Sequence, residues 1–464
     1  MKIPYGLVNF ARIRREGYFY VDKTPYLPVL ESAEAGYSSL LFLRPRRMGK
    51  SALVSLLAHY YDIHWAPEFD ALFRGLWIHD HPTPEKNKYV VLNLNFSTVS
   101  GEGDAEALAR SFLNAVKGPI TTLVMRHRER IPELGDLYDQ LKDYHDAADL
   151  MNALLAIIGG TPHKLYVLID EYDTFANDLL SAGHDDLYSS ITGKAGLVRV
   201  FYRTLKVGTE TGAIGRIFMT GASPILLDDL YTGFNIVTNV SQHPQLNAAA
   251  GFRRSDVERA VDELLASRPD LAMVPELSAW NEGKPAASSA GQPGGDGRTV
   301  LIDVLERYYN GYRFSPDATE SVFNSDMVLY FLRELVVHRK YPMEMLDPNA
   351  RTDYHKLHSV WAALGSTPSE RRLTLETILE RGHVRGRLIQ QFGRKGPATS
   401  DQLASLLYYT GMLTLSPEPP SGQELRFDIP NRVIRELFVS LQQEQEGKEV
   451  LYRDLKGAEP TPAA

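Results

Sequence analysis

The feature that most constrains the fold is a short apolar run that leads through a loop into Gly-Lys-Ser and then a helix. Leu40 to Leu43 is continuously hydrophobic, as in a strand buried on both faces, and Gly49, Lys50 and Ser51 follow it closely. The next apolar residues recur at helical spacing, at Leu53, Leu56, Leu57, Tyr60 and Tyr61. The order strand, loop, Lys-Ser and helix is that of a phosphate-binding P-loop.

This pattern predicts a role for each residue of the loop. Backbone N–H groups at a helix N-terminus bind phosphate, Lys50 reaches the β and γ phosphates, and the Ser51 hydroxyl coordinates Mg²⁺. Gly49 lets the backbone approach the phosphates because it carries no Cβ. The residues predicted to contact the nucleotide are Arg46, Arg47, Met48, Gly49, Lys50, Ser51 and Ala52.

The loop departs from the usual G-x-x-x-x-G-K-[ST] pattern at its start. The first glycine would fall where this chain has Arg44, and Pro45 has no N–H to offer a phosphate. Arg46 and Arg47 could compensate with charge-assisted bonds to phosphate oxygens. The alternative is that these two arginines are solvated or paired with surface acids.

A second apolar run, Leu165 to Ile169, ends in Asp170-Glu171. A carboxylate at the carboxyl end of a strand neighbouring the P-loop is suited to Mg²⁺, and an adjacent Glu can orient and deprotonate the attacking water. We therefore expect Asp170 to act on magnesium and Glu171 as the catalytic base. The alternative is a surface turn after a core strand. For Asp173, a charge role at a helix N-terminus is as well supported as a catalytic one.

A third buried run, Arg216 to Met219, ends in Thr220. A polar residue at this place can sense the γ-phosphate or the attacking water, so Thr220 is a candidate catalytic residue beside Lys50 and Glu171. The alternative is that Thr220 merely ends the strand beside Gly221.

Short apolar strands alternate with helical patterns before residue 240, which predicts an α/β fold with a doubly wound parallel sheet. Together with the phosphate loop, this pattern predicts a P-loop NTPase of the additive-strand type. The later pattern is mostly helical, with a small hairpin expected at Met412 to Leu415 and Leu425 to Ile429. We expect an ATPase core over 1–240, a helical lid over 241–335 and a C-terminal accessory domain over 336–464. The Gly/Pro/Ser-rich stretch at 283–298 predicts a flexible insertion in the lid.

Composition narrows the class of protein further. A chain of 464 residues has room for about three domains. The absence of cysteine excludes disulfide scaffolds, thiolate metal sites and cysteine nucleophiles. The sequence shows no secretory signal and no apolar run long enough to span a membrane. We therefore expect a cytoplasmic protein without a membrane partner. The net charge of −8 argues against a generally basic nucleic-acid coat.

Together these motifs resemble the predicted AAA-ATPase-like family of bacterial P-loop ATPases. The similar segments include Gly6 to Phe10, Tyr20 to Thr24, Arg44 to Ser51, and the Walker B segment Leu168 to Asp173. Thr220 to Ser223 is similar to the family's Thr-Gly-Val-Ser. Further similar blocks lie at Tyr309 to Phe314, Val322 to Ser325, Leu406 to Thr414, and Ile429 to Asn431. Met48 stands where the family has Phe, and the missing first glycine is normal for the family.

The resemblance implies a regulatory or remodelling ATPase that binds ATP and Mg²⁺ and moves a lid during turnover. ATP rather than GTP rests on this resemblance alone. Many relatives carry a restriction-type nuclease domain after the third block. The 33 residues after Asn431 hold no strand bearing an Asp followed by Glu-x-Lys, so nuclease activity is not expected.

The sequence is also compatible with two other hypotheses of function. One is a nucleotide-dependent switch with negligible turnover. The other is a nucleic-acid-handling accessory protein that uses a basic window without acids, formed by Arg381, Arg385, Arg387, Arg394 and Lys395. The alternative for that window is a solvated face. A protein partner and a second copy of the chain are also expected, without a residue that identifies either.

Overall fold

The computed structural model describes residues 1–32, 36, 38–230, 234–273, 297–350, 368–390, 392 and 399–443. Most of the predicted insertion at 283–298, together with Arg394 and Lys395 of the basic window, lies outside the described residues. The domain boundaries expected near 240 and 335 stay predictions.

A five-stranded parallel sheet forms the centre of the N-terminal part. Its strands are β1 (Ser39–Leu43), β2 (Val90–Asn95), β3 (Leu165–Asp170), β4 (Ile214–Gly221) and β5 (Thr238–Asn239). The order is β2-β3-β4-β1-β5. Strands β1 and β3 are buried throughout because helices cover both faces, so the predicted α/β class is confirmed.

The strand order agrees with the predicted additive-strand type. Strand β3, which ends in Asp170, does not pair with β1, because β4 is inserted between them and pairs with both. The inserted strand places Thr220 opposite Phe42 in the register of β1 and β4. The ends of β1, β4 and β3 therefore lie side by side at one edge of the sheet, where ligands of open parallel sheets bind.

Helices surround this sheet and connect its strands. Before β2 they are α1 (Phe10–Arg15), α2 (Leu27–Leu30), α3 (Lys50–Tyr61), α4 (Phe69–Phe73) and α5 (Trp77–Asp80). Between β2 and β3 they are α6 (Ala105–His127), α7 (Leu134–Gln140) and α8 (Ala147–Gly159). After β3 they are α9 (Thr174–Ser181), α10 (Asp185–Thr192), α11 (Leu197–Glu210) and α12 (Ile225–Leu230). Asp104 and Asp146 cap the N-termini of α6 and α8 with side-chain hydrogen bonds.

The later part of the chain is mostly helical, as expected. Its helices are α13 (Arg254–Ser267), α14 (Gly297–Tyr309), α15 (Ser325–His338), α16 (Pro368–Arg381) and α17 (Ser400–Thr410), followed by helical residues 432–443. The predicted hairpin is confirmed by the antiparallel pair β7 (Thr414–Leu415) and β8 (Leu425–Asp428). A third strand, β6 (His383–Gly386), pairs with β8 and was not predicted.

Short 3₁₀ turns cover Thr24–Tyr26, Ile63–Glu68, Phe96–Thr98, Leu141–Asp143, Pro244–Leu246 and Pro269–Met273. Within the described parts of the chain, the helices lack the length and apolar character needed to cross a membrane.

Candidate nucleotide-binding site

The phosphate loop, residues 44–51, joins β1 to α3 at the sheet edge. Gly49 caps α3 in a left-handed conformation with φ +89°, which a residue with a Cβ adopts only with strain. A Cβ there would also lie 3.2 Å from the hydroxyl oxygen of Ser325 at the start of α15. Gly-Lys-Ser therefore lies at the beginning of a helix, as predicted. Ser325, from the later part of the chain, packs closely against this part of the loop.

Lys50 connects the phosphate loop to the end of β3. Its side chain is buried, and Nζ donates a 3.2 Å hydrogen bond to the carbonyl oxygen of Pro45. The same nitrogen lies 3.7 Å from Oε1 of Glu171. The structure thus places side by side two residues that are 121 positions apart in sequence and that we predict to act on one phosphate chain.

Asp170 and Ser51 form the second junction between these elements. The Ser51 side chain hydrogen-bonds the Asp170 carboxylate, and burial raises the pKa of Asp170 above its ordinary value. Its Oδ1 atom is buried and has no hydrogen-bond partner among the described residues. An orphaned carboxylate oxygen is costly unless something binds it. Hydroxyl and carboxylate oxygens are ligands that Mg²⁺ prefers, so this pair fits the cation predicted from the sequence.

Glu171 is held in position from two sides. Its backbone has φ +54°, which a non-glycine residue rarely adopts, and Thr174 donates a 2.7 Å hydrogen bond from its hydroxyl to Oε2. Burial opposes ionisation, but Lys50, the Thr174 hydroxyl and Arg46 outweigh it and lower the pKa of Glu171. The carboxylate is therefore ionised and aimed by its neighbours before any nucleotide arrives.

Asp173 bonds the loop that follows β4. Its carboxylate accepts hydrogen bonds from the backbone N–H groups of Ala222 and Ser223, at 3.2 and 2.8 Å, and from the Asn177 side chain at 2.9 Å. The Asp173 side chain makes no capping bond to α9. Burial raises its pKa, and the adjacent Glu171 raises it further. The geometry favours a structural role, in which Asp173 fastens the ends of β3 and β4 together.

Thr220 is fully buried between β1 and β3. Its hydroxyl donates a 2.7 Å hydrogen bond to the carbonyl oxygen of Phe42. Because a hydroxyl has one hydrogen, Thr220 in this rotamer can accept a bond from water but cannot donate one to phosphate. The sensor role stays a prediction, and this bond favours water as the group sensed.

Arg44, at the position of the missing glycine, is buried in the protein interior. Its guanidinium is fully buried and lies 4.2 and 4.1 Å from the rings of Phe42 and Phe314. It donates hydrogen bonds to the carbonyl oxygens of Leu43, Ser241 and Leu246. Burial lowers its pKa to about 9. These long-range partners could not be identified from the sequence.

The two candidate phosphate-binding arginines differ. Nη1 of Arg47 lies 2.9 Å from Asp326 and 3.1 Å from Asp347, so pairing with acids, the alternative reading, describes its contacts here. Arg46 faces Glu171 closely enough to lower the pKa of that residue. Met48 is buried, and its carbonyl oxygen accepts a 2.6 Å bond from Gly251 N–H. Whether these residues contact nucleotide stays a prediction.

A cavity of about 290 Å³ opens beside the loop. It is mainly apolar and is formed by the N-terminal segment, the start of α3 including Ala52, residues 249–252 and the start of α15. At its border Lys23 donates hydrogen bonds to the carbonyl oxygens of Ala248 and Gly251, at 2.9 and 2.7 Å. Burial lowers the pKa of Lys23 to about 8. The sequence does not predict this cavity, although two segments that contribute to it, Gly6 to Phe10 and Tyr20 to Thr24, are among those that resemble the family.

The described arginines of the basic window do not line the cavity beside the phosphate loop. Arg385 pairs with Glu418 and Arg387 pairs with Asp401, each at 3.1 Å. Both ion pairs are at the surface, as the solvated-face alternative predicts.

Comparison with known proteins gives a family for the N-terminal half. The family described as Predicted AAA-ATPase matches residues 4–231. No curated protein matches the chain. The Aeropyrum pernix ORC2 protein, solved in ADPNP and ADP complexes, is 12% identical over 94% of this chain and 98% of its own, with a TM-score of 0.35. Cdc6p from Pyrobaculum aerophilum is 12% identical over 93% and 98%, with a TM-score of 0.28. These scores are too low for either structure to indicate what the chain does.

Proposed function

From the premise that residues 4–231 belong to the predicted AAA-ATPase family, we propose that this chain binds ATP with Mg²⁺ and hydrolyses it as a regulatory or remodelling ATPase. The observation that carries the proposal is the junction of Lys50, Glu171 and Asp170. A buried amine of the phosphate loop lies 3.7 Å from an ionised carboxylate, next to a carboxylate oxygen that has no partner among the described residues.

The chain's own residues divide the work of binding. Backbone N–H groups at the start of α3 and the Lys50 ammonium bind the phosphates, after Nζ exchanges its bond to Pro45 for phosphate oxygens. Ser51 and Asp170 would hold Mg²⁺, which neutralises charge on the phosphate oxygens when bound. The apolar cavity beside Ala52 takes the base and excludes water from it.

Glu171 supplies the proton acceptor for hydrolysis. A water oxygen forms a bond to the γ-phosphorus, the bond between that phosphorus and the bridging oxygen of ADP breaks, and the water proton passes to the Glu171 carboxylate. Thr174 orients this carboxylate through its hydroxyl. In this proposal the Thr220 hydroxyl oxygen accepts a hydrogen bond from the same water, while its hydrogen stays bonded to the carbonyl oxygen of Phe42.

Nucleotide binding is tested by Lys50→Ala. We expect ATP affinity to fall at least about tenfold, because the charge-assisted bonds of the ammonium to the phosphates are lost. Calorimetric titration with ATP and Mg²⁺ measures the change, and Lys88→Ala, which removes a half-exposed lysine remote from the loop, serves as the control. Equal affinity in the parent and Lys50→Ala proteins would show that the loop does not bind phosphate.

A nucleotide-dependent switch with negligible turnover is the second candidate function. It is favoured by the contacts of Glu171 with both Lys50 and Thr174, which lower the pKa of Glu171 and so weaken it as a base. Tight ATP binding without phosphate release, unchanged in Glu171→Gln, would establish the switch in place of the ATPase.

A further inference from the structure

A second cavity is lined by other residues of α3, Ser55, Ala58 and His59, than the cavity beside the phosphate loop. It has a volume of about 660 Å³, within the range of small-molecule sites. Its walls come from α1, α3 and α6, and edge strand β2 contributes Val91 and Asn93. The predicted phosphate-binding residues do not line it, so it is separate from the proposed nucleotide site.

The charge of this cavity is one-sided. Arg15 from α1 and Arg126 from α6 line it, and no Asp or Glu is among the described residues that do so. Each arginine has an acidic partner outside the lining: Arg15 pairs with Glu68, and Arg126 lies 3.5 Å from Asp62. The second contact is long and engages one nitrogen, so the planar guanidinium of Arg126 keeps N–H donors for an anion.

An aromatic side chain, Trp65, lies close to both arginines. Each guanidinium carbon lies 5.6 Å from the centroid of the Trp65 ring. His59 packs on the same indole, with centroids 4.5 Å apart, and burial lowers the pKa of His59, which favours the neutral imidazole. The exposed amide of Asn93 adds polar contacts on the floor. A flat ring can stack on such a surface while an attached anion meets the guanidinium groups.

We propose that this cavity binds a small organic anion that carries a flat ring, about the size of a mononucleotide. The ligand would touch α1 and α3, both of which also line the cavity beside the phosphate loop. The second cavity is thus placed for a regulatory ligand, and its occupancy does not depend on ATP hydrolysis.

Gly118 on α6 offers a steric test of the site that leaves its charges in place. It lines the cavity, and a Cβ built on it meets no heavy atom within 4 Å. Gly118→Leu places a side chain in the cavity; because residue 118 precedes Pro119, whose ring disfavours helical backbone in a residue that has a Cβ, circular dichroism verifies that α6 is retained. Gly135 on α7 has equally open surroundings and does not line the cavity, which makes Gly135→Leu the matched control.

The experiment is calorimetric titration of AMP into full-length Lys50→Ala protein, in which phosphate-loop binding is weakened. We expect saturable AMP binding that Gly118→Leu abolishes, Gly135→Leu leaves unchanged, and Arg126→Gln weakens at least about tenfold. Ribose 5-phosphate, which lacks the flat ring, and adenosine, which lacks the anion, should both bind more weakly than AMP. Circular dichroism verifies that each variant is folded.

The proposal is overturned if AMP shows no saturable binding, or if its affinity is the same in Gly118→Leu and Gly135→Leu proteins. Equal affinity for AMP and ribose 5-phosphate would overturn the stacking of a ring on Trp65.

Discussion

At the scale of single residues, Arg44 shows how the start of the loop is held in place without the usual first glycine. The arginine anchors the start of the loop through hydrogen bonds to the carbonyl oxygens of Leu43, Ser241 and Leu246. Its guanidinium also packs on the ring of Phe314. Three segments of the chain, around residues 43, 241–246 and 314, therefore meet at one side chain. These contacts hold the start of the loop in place.

Replacing Arg44 with Met should keep much of the side-chain volume and remove the donors. We expect a loss of unfolding free energy of about 3 kcal/mol or more, because buried carbonyl groups lose their charged partner. Urea denaturation measures the change, with Arg385→Met as the control at an exposed ion pair. Similar stability of the two variants would show that the buried contacts of Arg44 contribute little.

The lowered pKa of Glu171 makes a prediction about pH. A carboxylate whose pKa lies below its ordinary value of 4.5 is ionised, and thus active as a base, at neutral and mildly acidic pH. The rate at saturating ATP and Mg²⁺ should therefore not fall between about pH 8 and pH 6. A fall with a midpoint between about pH 6 and 7 would point to a base with a raised pKa.

At the scale of elements, the C-terminal part supports the phosphate loop directly. Gly411 ends α17 at φ +83°, and a Cβ there would lie 2.7 Å from Cβ of Pro45. Gly311, at φ +102°, likewise faces the backbone of Pro430, and Asn431 donates a bond to the carbonyl oxygen of Asn310. These blocks, far apart in sequence, pack together beneath the loop that precedes Lys50.

Gly411→Ala should therefore affect nucleotide binding from outside the site. The new methyl group would displace Pro45, whose carbonyl oxygen accepts the bond from Lys50, so we expect several-fold weaker ATP binding and reduced stability. Gly422→Ala is the matched control, since Gly422 also has positive φ but has open space around it. Equal ATP affinity in the two variants would show that the contact between the end of α17 and Pro45 does not affect nucleotide binding.

At the scale of the whole molecule, local patterns predicted the parallel sheet, the helical C-terminal part and the β7–β8 hairpin. Continuous apolar runs mark strands covered on both faces wherever those strands lie in the sheet. The order of the five strands depends on pairing between distant segments, so spacing in the sequence does not give it, although the place of β4 between β1 and β3 agrees with the predicted additive-strand type.

The candidate site was predictable to a similar extent. Lys50, Ser51, Asp170 and Glu171 were found because each follows a recognisable strand, and the structure brings them together. The anchoring of Arg44, the acidic partners of Arg47 and the base cavity were missed, because their partners come from residues after 240 or from the N-terminal segment. Tertiary contacts of this kind leave no periodic pattern in the chain.

The most direct test of the central claim is the rate of phosphate release from ATP by parent and Glu171→Gln proteins, measured with ATP binding in the same samples. We predict that Glu171→Gln binds ATP as the parent does and hydrolyses it at least about a hundredfold more slowly, because the amide cannot accept the water proton. Glu210→Gln, at an exposed glutamate, should hydrolyse ATP at the parent rate. Equal hydrolysis by the parent and Glu171→Gln proteins would contradict the assignment of this site as the centre of an ATPase.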